Sequence, residues 1–292
     1  DAMQSPAGHG TVVGLALAAL LAAGAAQANG TDPSAAQLLA RHDALTGALE
    51  HNDFGRPLAL ESREEPRRVS GDVYAVIDYP FDTVSRTMRN PRSWCEVLIL
   101  HLNTKYCHAA NDSLSVRMGR KNARDLDGSF PLDFAFRAEP ARAGFVAAQA
   151  TSPTGPLGSR DYQISMQAMP LPNGRSFMRL HYSYAYGAAA KLATKGYLAT
   201  SGSGKVGFTR EDGRYVGGLR GAVERNAMRY YLAVDSYLGS LAQAPGRQFS
   251  SRIEHWFDAT ERYAPQLHEI DRASYLSMKQ HEYAVQQELA AQ

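Results

Sequence analysis

The sequence predicts an α+β fold, a curved antiparallel sheet wrapped around one long helix near the C-terminus, with extra helices at both ends. Three observations predict it. Between residues 114 and 186 apolar and polar side chains alternate with period two in successive segments, the mark of an antiparallel sheet covered on one face. Leu219 to Leu241 is a single long amphipathic stretch, with apolar positions 219, 223, 227, 230, 234, 238 and 241 at helical spacing. Ahead of the alternating run stand one strand-like segment and two short helical ones.

In chain order, residues 34–50 (SAAQLLARHDALTGALE) read as a short amphipathic helix, and the polar ESREEPRRVSGD as the linker after it. Val73 to Tyr79, rich in β-branched and aromatic residues, reads as a strand that Pro80 ends. Phe81, Val84 and Met88 then fall at helical spacing. Asn90-Pro91 breaks that helix and opens another through Trp94 to Leu98, proline suiting a first helical turn. Leu114–Met118, Leu132–Arg137, Phe145–Thr151, Asp161–Ala168 and Met178–Tyr186 are the expected strands, with Pro172-Asn173-Gly174 as a hairpin turn. Ala188 to Thr200 reads as a short helix, and Lys205 to Thr209 as a last strand. After the long helix, Pro245-Gly246 is the stop, and a charged helical region from Ile253 to about Leu289 is interrupted at Pro265.

A curved sheet leaves one face to be covered, and one long amphipathic helix can cover it. The implied organisation is a leader at 1–28, a helix and linker at 29–69, the main domain at 70–242 and a helical extension at 243–292. The leader rests on the uncharged apolar run Val12–Ala26, too short and too rich in Ala and Gly for a bilayer span, followed by the small-x-small site Ala26-Gln27-Ala28. Cleavage after Ala28 would make Asn29 the first mature residue and place the protein in the periplasm or outside the cell. The preceding DAMQSPAGHG carries no Lys or Arg, unlike the usual basic start of such leaders.

The formal charge is +2, and +3 once Asp1 leaves with the leader, which offers no broad basic field for nucleic acid. The two cysteines, Cys95 and Cys107, suit a disulfide in an oxidising compartment, the alternative being two buried thiols. No spacing of His101, His108 and His181 suggests a metal, no cofactor motif is present, and neither is a nucleophile elbow. Gly202-Ser203-Gly204-Lys205 fails as a phosphate loop, with Ala199 where the first Gly belongs and Val206 after the lysine.

The order of elements resembles the START-like superfamily, the helix-grip fold of polyketide cyclases, lipid-transport proteins and birch-pollen allergens. The resemblance spans about residues 70–242 and is carried by Tyr79-Pro80-Phe81-Asp82-Thr83-Val84, by Asn90-Pro91 with Trp94, and by the long closing helix. Trp94-Cys95-Glu96-Val97-Leu98, His101-Leu102-Asn103-Thr104-Lys105 and Gly155 to Tyr162 are similar to stretches of exported proteobacterial proteins. The superfamily implies an apolar cavity between sheet and helix for a hydrophobic small molecule: a lipid, a sterol or a polyketide-like compound.

Tyr182, Tyr184 and Tyr186, continued by Met178 and Leu180, are the candidate lining, since three phenols on a covered face need partners for their hydroxyls. The alternative is a Tyr-rich core or an outward stripe. Arg220, Glu224 and Arg225, with Asn226 beside them, are candidates to anchor a head group, the alternative for Arg220 and Glu224 being an ordinary i,i+4 pair. Residues 188–200 could form a lid making transient contact with a membrane surface, or simply connect. Two other functions stay open: an enzyme of cyclase or hydrolase type on the same fold, and an envelope interaction module whose C-terminal helices take a protein partner.

Overall fold

The computed structural model describes residues 33–290, apart from 122, 124–125, 189–190, 193–195 and 197–203. The leader expected at 1–28 and most of the expected helix at 188–200 lie outside the described residues.

Helix α1 (Pro33–Glu50) comes first, then strands β1 (Leu58–Glu65) and β2 (Arg68–Ile77), helices α2 (Phe81–Met88) and α3 (Pro91–Leu98), and strands β3 (Thr104–Ala110) and β4 (Ser113–Met118). Strands β5 (Phe130–Ala138), β6 (Val146–Thr154), β7 (Ser159–Leu171) and β8 (Arg175–Tyr186) complete the main sheet. A short ladder, β9 (Arg210–Glu211) with β10 (Arg214–Tyr215), precedes the long helix α4 (Gly218–Ser240). Helices α5 (Pro245–Glu261), α6 (Ala264–Leu267) and α7 (Arg272–Ala290) end the described chain.

The main sheet has eight strands in the order β1-β2-β8-β7-β6-β5-β4-β3, all pairs antiparallel. Strands β3 to β8 form a meander, each paired with the next. The β7–β8 turn is set by Asn173 and Gly174 at φ 64° and 69°, a conformation that Asn and Gly adopt at little cost. Asn90 caps α3, its side-chain oxygen accepting from the Arg92 N–H at 3.0 Å, and Pro91 occupies the first turn.

Helix α4 lies on the inner face of the sheet, where the alternation had placed the apolar side chains. Val73, Leu114, Leu132, Ile164, Met178, Leu180, Val223, Ala227 and Val234 join one continuous core. Each fully buried Val, Leu, Ile or Met side chain among them contributes about 1.5–3 kcal/mol. Strand β2 crosses α4 closely at Gly71, where a Cβ would stand 3.2 Å from that of Ala227 and 3.3 Å from the Val223 carbonyl, tighter than most real contacts. A second, smaller core sits on the outer face, where Leu38, Leu45 and Leu49 of α1 cover Tyr74, Met169 and Phe177.

Four local expectations change. Leu58–Glu65, partly read as linker, forms edge strand β1, whose last residues are exposed on a paired edge and so carry charges. Thr104–Ala110 is a strand that the alternation missed, because α7 buries Lys105 at a β-bulge and breaks the pattern. Lys205–Thr209 is not a strand; its backbone is captured by Glu224 instead. Pro245 opens α5 in its first turn besides following α4.

Candidate functional site

The inner face and α4 enclose a cavity of about 20 Å³, room for about one water. Its walls are Leu98 of α3, Val116, Leu132, Phe134 and Ile164 of the sheet, and its polar surface comes from Tyr162, Tyr182, Tyr230 and Thr104. Tyr182 stands opposite Ile164 in the β7–β8 register, on the face that α4 covers. The bulge between Arg160 and Gln163 brings Tyr162 over Tyr184, the rings stacked at 5.3 Å. Tyr230 reaches across from α4 to Tyr182, ring centroids 5.3 Å apart.

Burial raises the hydroxyl pKa of Tyr182, Tyr184 and Tyr230 well above the ordinary phenol value, so these groups stay neutral. Tyr162 shares a hydrogen bond with Ser159 at 2.8 Å. Asn226 is within reach of the Tyr182 hydroxyl. Tyr230, 6% exposed, makes no side-chain hydrogen bond among the described residues.

Beside the cavity, His101 stacks on Tyr230 with ring centroids 5.0 Å apart. Its Nδ1 accepts from the Asn103 N–H at 3.2 Å, which leaves Nε2 to donate to Asn226 Oδ1 at 3.3 Å. Burial, helped by the Arg229 charge, holds its pKa down to about 3. With both ring nitrogens engaged inside the protein, His101 is not placed to act as an acid or base.

The seven ligand candidates separate into three groups. Tyr182 lines the cavity, with the Tyr184 ring tilted against it at 5.9 Å and Tyr186 at the end of the strand, its hydroxyl donating to the Glu65 carbonyl at 2.8 Å. Met178 and Leu180 are fully buried core residues that do not line it. Arg220 and Glu224 come together through Ser62 rather than as a pair: Arg220 Nε donates to Ser62 Oγ at 2.7 Å, and Ser62 Oγ donates to Glu224 at 2.5 Å. The second Glu224 oxygen accepts from the Phe208 and Thr209 N–H groups, so this buried carboxylate holds a loop down and does not face the cavity. Arg225 donates to the Val206 carbonyl of the same loop.

Tyr230, Thr104 and Tyr162 are the lining residues that the stripe on β8 left out. Tyr230 was visible only as one apolar position of the long helix, and Tyr162 only as the first inward residue of its strand. Thr104 lies in the strand that went unread. His181 sits on the other face of the sheet, where its Nδ1 donates to Asp72 at 2.9 Å beside Arg179.

Cys95 and Cys107 form a disulfide that ties α3 to β3. Among the described residues, no three His, Cys, Asp or Glu side chains gather to hold a metal ion, and no helix is long and apolar enough to cross a membrane. A concavity of about 840 Å³ is a surface groove along α7. Its charged walls are already paired: Lys121 with Glu269, Asp271 with Ser274, and Glu282 with Lys105.

No protein-family profile and no curated protein matches the sequence. Among solved structures, the chain is similar to the human StAR-related lipid transfer protein 5, at 10% identity over 79% of this chain and 98% of that one, TM-score 0.30. Norcoclaurine synthase of Thalictrum flavum is 12% identical over 48% of this chain and 93% of its own, TM-score 0.33. A conserved protein of unknown function from Enterococcus faecalis is 9% identical over 70% and 91%, TM-score 0.32. The topology itself, the β1–β2 hairpin, two short helices, an antiparallel meander and a long helix held against its inner face, is a helix-grip arrangement.

Proposed function

We propose that the protein binds or carries a hydrophobic small molecule between its sheet and α4, and that it works outside the cytoplasm. The observation that carries the first part is an apolar-walled cavity into which the sheet and α4 set a group of three phenols, Tyr162, Tyr182 and Tyr230. Such a group is costly in a finished core and useful in one that receives a guest. The deep cavity expected from the resemblance is here a void of about 20 Å³, so this reading requires that the tyrosine rings turn and α4 part from the sheet to admit a guest. Export is supported by the apolar leader-like run and by the Cys95–Cys107 disulfide, a bond at home in oxidising compartments.

Native mass spectrometry of the protein purified from the cell envelope tests both parts. The expected species begins at Asn29 and carries an added mass that organic solvent removes. Bare polypeptide that also takes up no apolar compound would overturn the binding reading, and an intact leader on cytoplasmic protein would overturn export.

A further inference from the structure

We infer that the protein has a separate oxyanion site, suited to a phosphate monoester, where Lys121, Lys205 and Arg229 converge on Glu269. It lies apart from the apolar cavity, whose walls none of these four side chains form.

The fold brings these side chains together from distant parts of the sequence. Lys121 follows β4, Lys205 lies in the loop before β9, Arg229 is on α4 and Glu269 follows α6. Lys121 Nζ donates to the Glu269 carboxylate at 2.9 Å and to its backbone carbonyl at 3.0 Å. Arg229 donates to the other carboxylate oxygen at 3.1 Å, and Lys205 pairs with that same oxygen. Three cations thus share one carboxylate, a surplus of two positive charges. Neighbouring carboxylates do not cancel it. Asp271 accepts from the Ser274 N–H and hydroxyl, and Glu282 serves the buried Lys105 and Lys279. Arg225 adds to the surplus, donating to the Val206 carbonyl beside Lys205.

The cluster is desolvated on one side and open on the other. The Arg229 and Glu269 side chains are 7% and 12% exposed, those of Lys205 and Lys121 25% and 43%. Burial lowers the Lys205 pKa, and the Arg229 and Lys121 charges push it down further against the pull of Glu269. Charge left uncompensated in such a place is costly, and a bound anion offsets that cost. Donors remain for it: of three N–H groups on each ammonium, Lys121 spends two and Lys205 one. A phosphate monoester, with a charge of about −2 near neutral pH and three acceptor oxygens, matches both the surplus and the donors. A carboxylate or a chloride carries only half that charge.

The test titrates the full chain with glycerol 3-phosphate, acetate and chloride by calorimetry at matched low ionic strength. A second arm sediments it with phosphatidylcholine vesicles, with and without phosphatidate, to tell a soluble phosphate ester from a lipid head group. The expected result is glycerol 3-phosphate bound at least about tenfold more tightly than acetate or chloride. Lys205→Gln should weaken that binding about tenfold. Glu269→Gln, which enlarges the surplus, should tighten it, an effect that a purely structural ion cluster would not produce. Sedimentation only with the phosphatidate vesicles, without uptake of glycerol 3-phosphate, supports the same site with a lipid as the source. Acetate bound as tightly as glycerol 3-phosphate overturns the inference, and so does an unchanged affinity in Lys205→Gln. Binding of neither phosphate source overturns it too, and the cavity reading stands in each case. Circular dichroism of the variants controls for folding, and Lys121→Gln supplies a second variant should Lys205→Gln fail to fold.

Discussion

Two buried polar regions lie back to back across β3 and the residues before it, and they are built on opposite terms. On one side, α7 packs over the sheet edge and every ionic group finds a partner. Lys279 Nζ donates to the His101 and Thr104 carbonyls at 2.7 and 2.9 Å and to Glu282 at 2.7 Å. Lys105 donates to the other Glu282 oxygen at 2.9 Å and to the Lys121 carbonyl at 3.2 Å. Gln286 accepts the Cys107 N–H, and the Tyr275 hydroxyl donates to the Leu100 carbonyl, both at 2.9 Å. On the other side, the cavity presents neutral phenols, and Tyr230 has no hydrogen-bond partner among the described residues. A saturated network makes an edge permanent, since removing any member strands another. An unsaturated one gives up little when it opens. The C-terminal extension thus reads as a fixed clamp that protects an edge strand, and the inner face as the part able to change.

The largest effect expected from breaking this contrast is Glu282→Ala, which leaves the buried Lys105 and Lys279 without their carboxylate. It should cost about 3–5 kcal/mol of stability in urea unfolding, and a loss under about 1 kcal/mol would show that the edge network is not a clamp. Reducing the Cys95–Cys107 bond, or replacing both cysteines by serine, comes next, at about 3 kcal/mol for a loop of this length.

A third test uses acid. The His101 pKa, about 3 when folded against an ordinary 6.5, means that between these values the unfolded chain takes up a proton the folded chain refuses. Its contribution is complete above pH 6.5 and is lost as pH falls toward 3. Glu269, held near 2 chiefly by Lys205 and Arg229 against its burial, loses its own contribution only below its ordinary 4.5. The slope between 4.5 and 6.5 therefore isolates His101 from Glu269. There, His101→Phe should flatten the pH dependence of unfolding free energy by up to about 1.4 kcal/mol per pH unit. An unchanged slope would mean that the imidazole is not held neutral.

The smallest effects separate the two regions most finely. Tyr275→Phe strands the Leu100 carbonyl in a saturated site and should cost about 1–3 kcal/mol. Tyr230→Phe removes a buried hydroxyl that borders the cavity and should leave stability unchanged or raise it by up to about 1 kcal/mol. Equal losses would erase the distinction.

Much of this was legible in the sequence, and the exceptions share a cause. Period two along Leu114–Met118, Leu132–Arg137, Asp161–Ala168 and Met178–Tyr186 survives because one face meets α4 and the other meets solvent or α1. It fails at Thr104–Ala110, where a distant helix buries a lysine, and at Leu58–Glu65, where the edge strand runs out into charge. Cys95 and Cys107 could be paired by count, but not by geometry. Tyr182 was found because it repeats with its neighbours along one strand. Tyr230 hid within a helical face whose period does not distinguish a core phenol from a cavity phenol. Glu224 read as a ligand anchor because its spacing to Arg220 is visible and its true partners, the Phe208 and Thr209 amides, lie in a loop that only the fold brings near.

The most direct test of the central claim, that the inner face opens for a guest while the α7 edge stays shut, is a crystal structure of the chain saturated with 1-dodecanol. The account predicts the alkyl chain between α4 and Leu132 and Phe134, its hydroxyl in hydrogen-bond contact with Tyr230 or Tyr182, and Lys279 still on the His101 and Thr104 carbonyls. Alcohol bound only at the surface over an unchanged, closed core would contradict it.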